Sequence, residues 1–140
     1  MKPVVLDASA AAPWFIPEER SLGSERLYAD VISSPGLFRV PALWLWEVGN
    51  ILLMALRRRR LGQAAVEAGL ALIDACPLDV EPPPNAHHRA QIMRLAQTHQ
   101  LSFYDASYLE LALRLNGQLA SRDAALVKAA KQCGLSCIDF

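Results

Sequence analysis

The sequence predicts an α/β fold in which a central parallel sheet of about five strands is flanked by helices on both faces. Short apolar runs with β-branched residues alternate along the chain with longer segments of helical periodicity, which is the pattern of parallel sheets with helical crossovers. The length of 140 residues suits one domain, and 53% of the residues are apolar, so the chain can bury a hydrophobic core. We therefore expect residues 1–140 to form a single domain.

The predicted strands are short and apolar, as strands buried on both faces of a sheet usually are. The first covers residues 4–6 and ends at Asp7. The other candidates are residues 38–40, 78–80, 118–120 and 136–138. The proline run at residues 82–84 is a stiff connector between elements rather than a linker between domains.

Helical periodicity, in which apolar residues recur every three or four positions, is found in the segments between these strands. The predicted helices cover residues 8–15, 21–32, 41–59, 63–75, 86–98, 103–115 and 123–132. We expect Pro41 in the first turn of the longest helix, because proline is favoured at that position. Gly62 interrupts the pattern, and Gly134 ends the last helix.

The charge balance argues against a surface that is positive overall. Lysine and arginine together number 14, as do aspartate and glutamate, so any site for a polyanion has to be local. Three cysteines, Cys76, Cys133 and Cys137, form no disulfide framework, and the last two lack the second ligand pair of a structural zinc site. We expect free thiols in a reducing cytoplasm.

The apolar segments of the chain are too interrupted for membrane insertion. The longest of them, residues 40–56, is broken by Glu47, Gly49 and Asn50, whereas a membrane span needs about 20 apolar residues. We therefore expect a soluble protein that is located in the cytoplasm.

Four acidic residues stand next to apolar segments, where an unpaired carboxylate is unfavourable: Asp7, Glu47, Asp105 and Asp123. Burying a polar group without a partner costs about 2 to 7 kcal/mol, so such acids normally have a partner or a cation. Asp7 and Asp123 fall at or just past the ends of two predicted strands, which is where ligands bind in open parallel sheets. The pattern predicts a shared site for a divalent metal ion with oxygen ligands.

Each of these acids also has a structural alternative. Asp7 and Asp123 can cap the helices that follow them. Ser102 and Asp105 fit a capping box, which is worth about 1 kcal/mol. Glu47 lies in the middle of a predicted helix and has no cap to provide, so its alternative is a position in a solvated polar stripe.

Four sequence motifs resemble those of PIN-domain proteins, in the same order and at similar spacing from end to end of the chain. They are residues 5–9 (VLDAS), 46–50 (WEVGN), 101–109 (LSFYDASYL) and 119–126 (LASRDAAL). Within that group the chain is similar to the VapC-type toxins of toxin–antitoxin pairs. The resemblance implies a PIN-like fold with a central parallel sheet, an endoribonuclease activity that depends on Mg²⁺ or Mn²⁺, and a homodimer.

The resemblance also implies roles for individual residues. The metal-binding and catalytic positions of the family correspond to Asp7, Glu47, Asp105 and Asp123. Polar positions near the site correspond to Ser9, Asn50 and Ser121. Glu47 is expected either as a metal ligand or as the group that orients the attacking water. RNA is the implied substrate, and the implied partner is a cognate VapB-like antitoxin whose tail enters the acidic groove.

Two other functions are alternatives to this one. A catalytically inert PIN-like protein could bind RNA or act as a scaffold, but such proteins usually lose acids, and all four are present here. A phosphatase with Asp7 as its nucleophile would need a second aspartate two residues later, and Ser9 stands there.

Other conspicuous residues are given structural roles. Consecutive side chains on a helix fan out by about 100°, so we expect the arginine run from Arg57 to Arg60 at a solvated helix end, with contact to RNA or antitoxin as the alternative. Trp14, Trp44 and Trp46 are expected in the core or in a dimer interface rather than as platforms for base stacking.

Overall fold

The computed structural model describes residues 2–140 and has the parallel α/β architecture that the sequence predicts. Its strands are β1 (Val4–Leu6), β2 (Phe38–Pro41), β3 (Asp79–Glu81) and β4 (Gln118–Ala120). These four strands of the described chain form one sheet in the order β3-β2-β1-β4, and every pairing between them is parallel.

Seven helices of the described chain join and flank the strands. They are α1 (Ala8–Phe15), α2 (Leu22–Ser33), α3 (Leu43–Arg57), α4 (Gln63–Ala75), α5 (Ala86–His99), α6 (Phe103–Arg114) and α7 (Ala124–Gln132). A short 3-10 turn, Pro17–Glu19, follows α1. Within residues 2–140, none of these helices is long and apolar enough to cross a lipid bilayer.

The centre of the sheet is buried on both faces. Val4, Val5 and Leu6 of β1 are 3%, 0% and 0% exposed, although neighbouring side chains of a strand point to opposite faces. Helix α6 packs against β1, β2 and β4. This burial explains why β1 is a continuous apolar run rather than an alternation of apolar and polar residues.

The strand order brings the predicted site residues to one edge of the sheet. Strand β1 lies between β2 and β4, so the direction of the crossovers reverses at β1, and ligands bind at such a point in open parallel sheets. Leu6 pairs with Ala120, so the carboxyl ends of β1 and β4 are level. The next residues along the chain, Asp7 and Ser121, therefore lie side by side.

The expected fifth strand at residues 136–138 is reduced to a single bridge between Leu119 and Cys137. Successive residues of a strand direct their N–H and C=O groups to opposite neighbours. Gln118 and Ala120, the first and last residues of β4, form their hydrogen bonds on the side of β1. Leu119 between them bonds on the opposite side: its N–H donates to the Ser136 carbonyl at 3.1 Å, and its carbonyl accepts from the Ile138 N–H at 2.8 Å. A strand as short as β4 offers a fifth strand no further partners.

The start of the longest helix also differs from the prediction. Pro41 is the last residue of β2, where it pairs with Glu81 of β3, and α3 begins at Leu43. The preference of proline for a first helical turn is a local effect, whereas the neighbouring strand β3 supplies a tertiary partner at this position. The pairing between strands therefore decides the boundary.

A stripe of apolar residues fixes the orientation of α3. Trp44, Val48 and Leu52 recur every four residues and are at most 1% exposed. With this stripe in the core, Glu47 and Asn50 lie on a flank of α3 that faces the carboxyl ends of β1 and β4.

Candidate active site

A cleft at the carboxyl ends of β1 and β4, with a volume of about 490 Å³, contains all four acids that the sequence assigns to a site. The predicted site residues that line it are Asp7, Ser9, Glu47, Asn50, Asp105 and Asp123. No lysine or arginine of the described chain lines this space. We call it the acidic cleft. Ser121, the remaining predicted residue, contacts it through a hydrogen bond to Asp7.

Asp7 is almost completely buried, with 5% of its surface exposed. It stands directly before α1, but its side chain makes no capping hydrogen bond, so the capping alternative is wrong for this residue. Its Oδ2 instead accepts hydrogen bonds from the hydroxyls of Ser9 at 2.8 Å and Ser121 at 2.7 Å. Burial raises the pKa of the Asp7 carboxyl, and these two hydrogen bonds offset part of that rise.

The two serines also join the loops that follow β1 and β4. Ser121 Oγ accepts a hydrogen bond from the Asp123 N–H at 3.0 Å, and Ser9 Oγ accepts one from the Arg122 N–H at 2.9 Å. Each hydroxyl thus donates to the Asp7 carboxylate and accepts from the loop after β4. This arrangement fixes the direction in which the Asp7 carboxylate points.

Glu47 projects from the middle of α3 and accepts a hydrogen bond from the hydroxyl of Tyr108 on α6. Burial raises the pKa of Glu47, and the hydrogen bond from Tyr108 opposes that rise. The negative charges of Asp7 and Asp105 raise the pKa of Glu47 further. Glu47 is therefore a half-buried, oriented carboxylate that interacts with two other acids of the cleft, and it is not part of a solvated stripe.

Tyr108 is a site residue that the sequence pattern does not reveal. It is 0% exposed, and burial together with the nearby Glu47 carboxylate raises the pKa of its hydroxyl. The hydroxyl therefore stays protonated and acts as a donor to Glu47. One signal could have identified it: Tyr108 lies three residues after Asp105, and residues at this spacing share one side of a helix.

Asp105 and Asp123 each have a role at the start of a helix and a position in the cleft. The N–H of Asp105 donates to Ser102 Oγ at 3.0 Å in the first turn of α6. Asp123 caps α7 by accepting a hydrogen bond from the Leu126 N–H at 3.0 Å, as the capping alternative predicts. Burial raises the pKa of Asp105, and the charges of Asp123 and Asp7 raise it further.

The donor set of the acidic cleft suits a divalent cation. Carboxylate oxygens are hard ligands of the kind that Mg²⁺ and Mn²⁺ prefer. Side-chain donors of the described residues reach Oδ2 of Asp7 and Oε1 of Glu47, so the other oxygen of each carboxylate accepts no hydrogen bond from a side chain. Across residues 2–140, no three His, Cys, Asp or Glu side chains already form a ligand group for a metal ion. Repulsion between neighbouring carboxylates, which adds to the effect of burial in raising the pKa values of Glu47 and Asp105, favours such separation.

Two exposed aromatic side chains border the acidic cleft. Trp46 on α3 is 72% exposed, and Tyr104 on α6 is 60% exposed. The expected core position is confirmed for Trp14 and Trp44, which are 8% and 1% exposed. For Trp46 the alternative of a dimer interface stays a prediction, because this residue lies outside the core. The reason is helical geometry: two residues along a helix turn the side chain by about 200°, so burying Trp44 in the core exposes Trp46.

Comparison with known proteins adds a family and a set of relatives. The PIN domain family model matches residues 4–132, a range that includes all four acids of the cleft. Ribonuclease VapC3 from Pyrobaculum aerophilum is 31% identical to the chain over 129 residues, which cover 89% of this chain and 92% of that protein.

Solved structures share the fold. The crystal structure of PAE2754 from Pyrobaculum aerophilum superposes with a TM-score of 0.75 at 24% identity and covers 97% of this chain and 83% of that one. VapC20 from Mycobacterium tuberculosis, which is described as a toxin that cleaves the sarcin–ricin loop, gives a TM-score of 0.67 at 22% identity and covers 90% of this chain and 94% of that one. At these identities the likeness concerns the fold alone.

Proposed function

This chain belongs to the PIN domain family as a VapC-type protein, and on that premise we propose that it is a metal-dependent ribonuclease, the toxin of a toxin–antitoxin pair. The observation that carries the proposal is the acidic cleft, in which carboxylates from four segments of the chain face one space. No basic side chain of the described residues enters that space to neutralise them. The ribonuclease name of the VapC3 relative supports hydrolysis of RNA as the reaction.

Within this proposal, Asp7, Asp105 and Asp123 would hold Mg²⁺ or Mn²⁺, and Glu47 would be a further ligand or the group that orients the attacking water. When bound, such a cation polarises a phosphoryl oxygen and lowers the pKa of coordinated water. Burial raises the pKa values of Asp7, Glu47 and Asp105, and neighbouring acids raise those of Glu47 and Asp105 further. These shifts support a cation here, because its positive charge would stabilise the ionised carboxylates.

The chain's own residues supply orientation and a proton acceptor. The hydroxyls of Ser9 and Ser121 hold the Asp7 carboxylate in one direction, which prepares it before substrate arrives. Glu47 has a raised pKa and is therefore a stronger base than an ordinary glutamate. If Glu47 orients the attacking water rather than binding the cation, it would also accept a proton from that water as its oxygen attacks phosphorus. The bond from phosphorus to the leaving sugar oxygen then breaks, and that oxygen takes a proton from solvent. Tyr108 keeps Glu47 aimed at that water.

Cleavage of RNA by the purified protein, separated from any antitoxin, tests the proposal. We expect cleavage with Mg²⁺ or Mn²⁺ and none in EDTA. Asp7→Asn and Asp105→Asn should lower the rate by more than about a hundredfold. Asp74→Asn, which removes an exposed carboxylate of α4, is the matched control and should cleave like the parent.

Two results would contradict the proposed activity. Cleavage at full rate in EDTA would exclude a metal-dependent reaction. Absence of cleavage with every cation, combined with RNA binding that survives, would favour the alternative of an inert RNA-binding PIN-like protein.

We also propose an antitoxin partner, a homodimer and a cytoplasmic location. The acidic cleft, bordered by exposed Trp46 and Tyr104, suits basic and apolar side chains of a partner segment. Expression should arrest growth, and a small protein encoded by a neighbouring gene should relieve the arrest by binding.

The three cysteines are free, as expected in a reducing compartment. Light scattering should give twice the chain mass of 15.4 kDa, and a monomer mass would contradict the dimer.

A further inference from the structure

A second cleft adjoins the acidic cleft and has the opposite charge. It also has a volume of about 490 Å³, and the two clefts share Ser9, Asn50 and Ile51 as lining residues. Its charged lining residues are Glu19, Arg58, Arg60 and Arg122. We call it the basic cleft. The two clefts therefore lie next to each other, on either side of the residues that they share.

The end of α3 explains how the arginine run reaches this cleft. Arg57 is the last residue of α3, and Arg59 adopts a left-handed backbone conformation with φ of 59°. The helical conformation ends there, and the Arg60 N–H donates to the Ala55 carbonyl at 2.8 Å. Arg58 and Arg60 consequently line the basic cleft, whereas Arg57 and Arg59 do not. The run is exposed at the end of α3, as expected, but only Arg57 is helical, so the argument that its side chains fan around a helix does not apply to the other three.

Two glutamates neutralise part of this positive charge. Glu19 pairs with Arg60 at 2.9 Å and with Arg122 at 2.8 Å, and Glu18 also pairs with Arg60. The hydrogen bond from Arg122 is the largest cause of a lowered pKa at Glu19, and Arg60 lowers this pKa further, so Glu19 stays charged. Arg58 forms no ion pair with any described residue. The basic cleft thus keeps a net positive charge and one arginine that is available to a ligand.

We propose that the basic cleft binds the sugar–phosphate backbone of the RNA strand whose cleaved phosphate lies in the acidic cleft, an inference that rests on the proposed ribonuclease function. A nucleic-acid strand carries a negative charge at every nucleotide, and the carboxylates of the acidic cleft repel the phosphates beside the cleaved one. Arginines in an adjoining cleft offset this repulsion, and the planar guanidinium group matches the geometry of a phosphate.

The position of Glu19 gives this proposal a distinctive consequence. A phosphate that binds Arg60 or Arg122 must exchange places with the Glu19 carboxylate, because both anions require the same guanidinium groups. Glu19 therefore competes with RNA. Removing its charge should strengthen RNA binding, whereas removing an arginine should weaken it. If these residues served only to stabilise the surface, removal of the Glu19 charge and removal of an arginine would not change RNA affinity in opposite directions.

Binding of a fluorescein-labelled single-stranded RNA oligonucleotide, measured by anisotropy over a salt series, tests the inference. The Asp7→Asn protein with Mn²⁺ serves as the background so that the RNA is not cleaved. We expect Arg58→Gln and Arg122→Gln to weaken binding about threefold to tenfold and to reduce the slope of log affinity against log salt by about 0.7 each. Glu19→Gln should tighten binding about threefold. Arg57→Gln, a change of the same charge outside the cleft, is the matched control and should bind like the background.

The same variants in the cleaving protein separate the two proposals. Arg58→Gln should raise KM and leave kcat near the parent value, because it loses backbone binding and not chemistry. If the parent cleaves RNA while Arg58→Gln and Arg122→Gln match Arg57→Gln in affinity and KM, the basic cleft is not an RNA subsite and the ribonuclease stands. If the parent neither binds nor cleaves RNA, both proposals are wrong. Loss of antitoxin binding with unchanged RNA affinity would assign the basic cleft to the protein partner and overturn the inference.

Discussion

Replacement of Glu47 by glutamine tests whether the four acids form one shared site or serve separate structural roles. The raised pKa of Glu47 means that burial and the charges of Asp7 and Asp105 disfavour its ionised form in the folded protein more than the hydrogen bond from Tyr108 favours it. Glutamine has nearly the same shape, carries no charge and can still accept from Tyr108. We therefore expect the metal-free variant to be more stable than the parent.

The expected gain follows from the charges that Glu47 meets. For two like charges taken to be about 6 Å apart, with an effective dielectric constant of about 40 suited to a cleft open to water, each neighbouring charge costs about 1.4 kcal/mol. Two neighbours cost about 2.8 kcal/mol, from which about 1 kcal/mol is subtracted because a hydrogen bond to glutamine is weaker than one to a carboxylate. The net gain of about 1 to 2 kcal/mol corresponds to a rise in Tm of about 3 to 8 °C for a chain of this length.

Thermal melts in EDTA and in Mn²⁺ measure both the gain and its origin. Manganese should raise the parent's Tm, because a ligand that binds only the folded state stabilises it by about 2.7 kcal/mol at a hundredfold excess over Kd. The glutamine variant should gain less from manganese, since it lacks one carboxylate.

The control is Glu67→Gln, which neutralises an exposed glutamate of α4 and should leave both melts unchanged. A Glu47→Gln protein that melts below the parent in EDTA and responds to manganese as strongly as the parent would refute the reasoning. That result would remove Glu47 from the shared site.

Three further measurements address the rest of the site. In EDTA the free energy of unfolding should rise as the pH falls from about 7 to about 5, because burial raises the folded-state pKa values of Asp7, Glu47 and Asp105 and the folded chain therefore binds these protons more readily than the unfolded chain. A fall in the free energy of unfolding over that range would contradict the raised pKa values. Tyr108→Phe releases Glu47 from its orienting hydrogen bond. Expressed as free energies, the loss in RNA cleavage rate should therefore exceed the loss in stability measured from Tm. Equal cleavage by parent and variant would exclude an orienting role. Trp46→Ala should raise KM for single-stranded RNA about fivefold or more, since stacking on a base is worth about 1 to 3 kcal/mol. Trp46→Phe keeps an aromatic ring, so its KM should stay near that of the parent. An unchanged KM in both variants would exclude stacking.

The local sequence is enough to predict the first and last residues of those helices and strands whose boundaries depend on adjacent residues in the chain. Helices α1 and α4 and strands β1 and β4 begin and end at the predicted residues. Asp7 stands directly before α1, and Gly62 stands directly before α4. The end of β2 at Pro41 was not predictable in this way, because it depends on pairing with β3, which lies far along the chain.

The convergence of the acids was predictable from topology, whereas their partners were not. Parallel strands place their carboxyl ends at one edge, which is enough to bring Asp7 and Asp123 together. The hydrogen bond between Tyr108 and Glu47 joins residues that are 61 positions apart and depends on how two helices pack. Arg59 gives no sequence signal for its left-handed backbone, since glycine is the residue that normally adopts it.

The acidic cleft also lies where three helices begin, at Asp7 before α1, Asp105 in the first turn of α6 and Asp123 before α7. The aligned peptide dipoles of a helix place about half a positive elementary charge at its N-terminus. Three such partial charges reduce the repulsion among these aspartates before any cation binds. Glu47, in the middle of α3, receives none. We therefore expect the chain to fold without a cation and to bind one afterwards, so that under the proposed metal-dependent function metal supply would control its activity and not its folding.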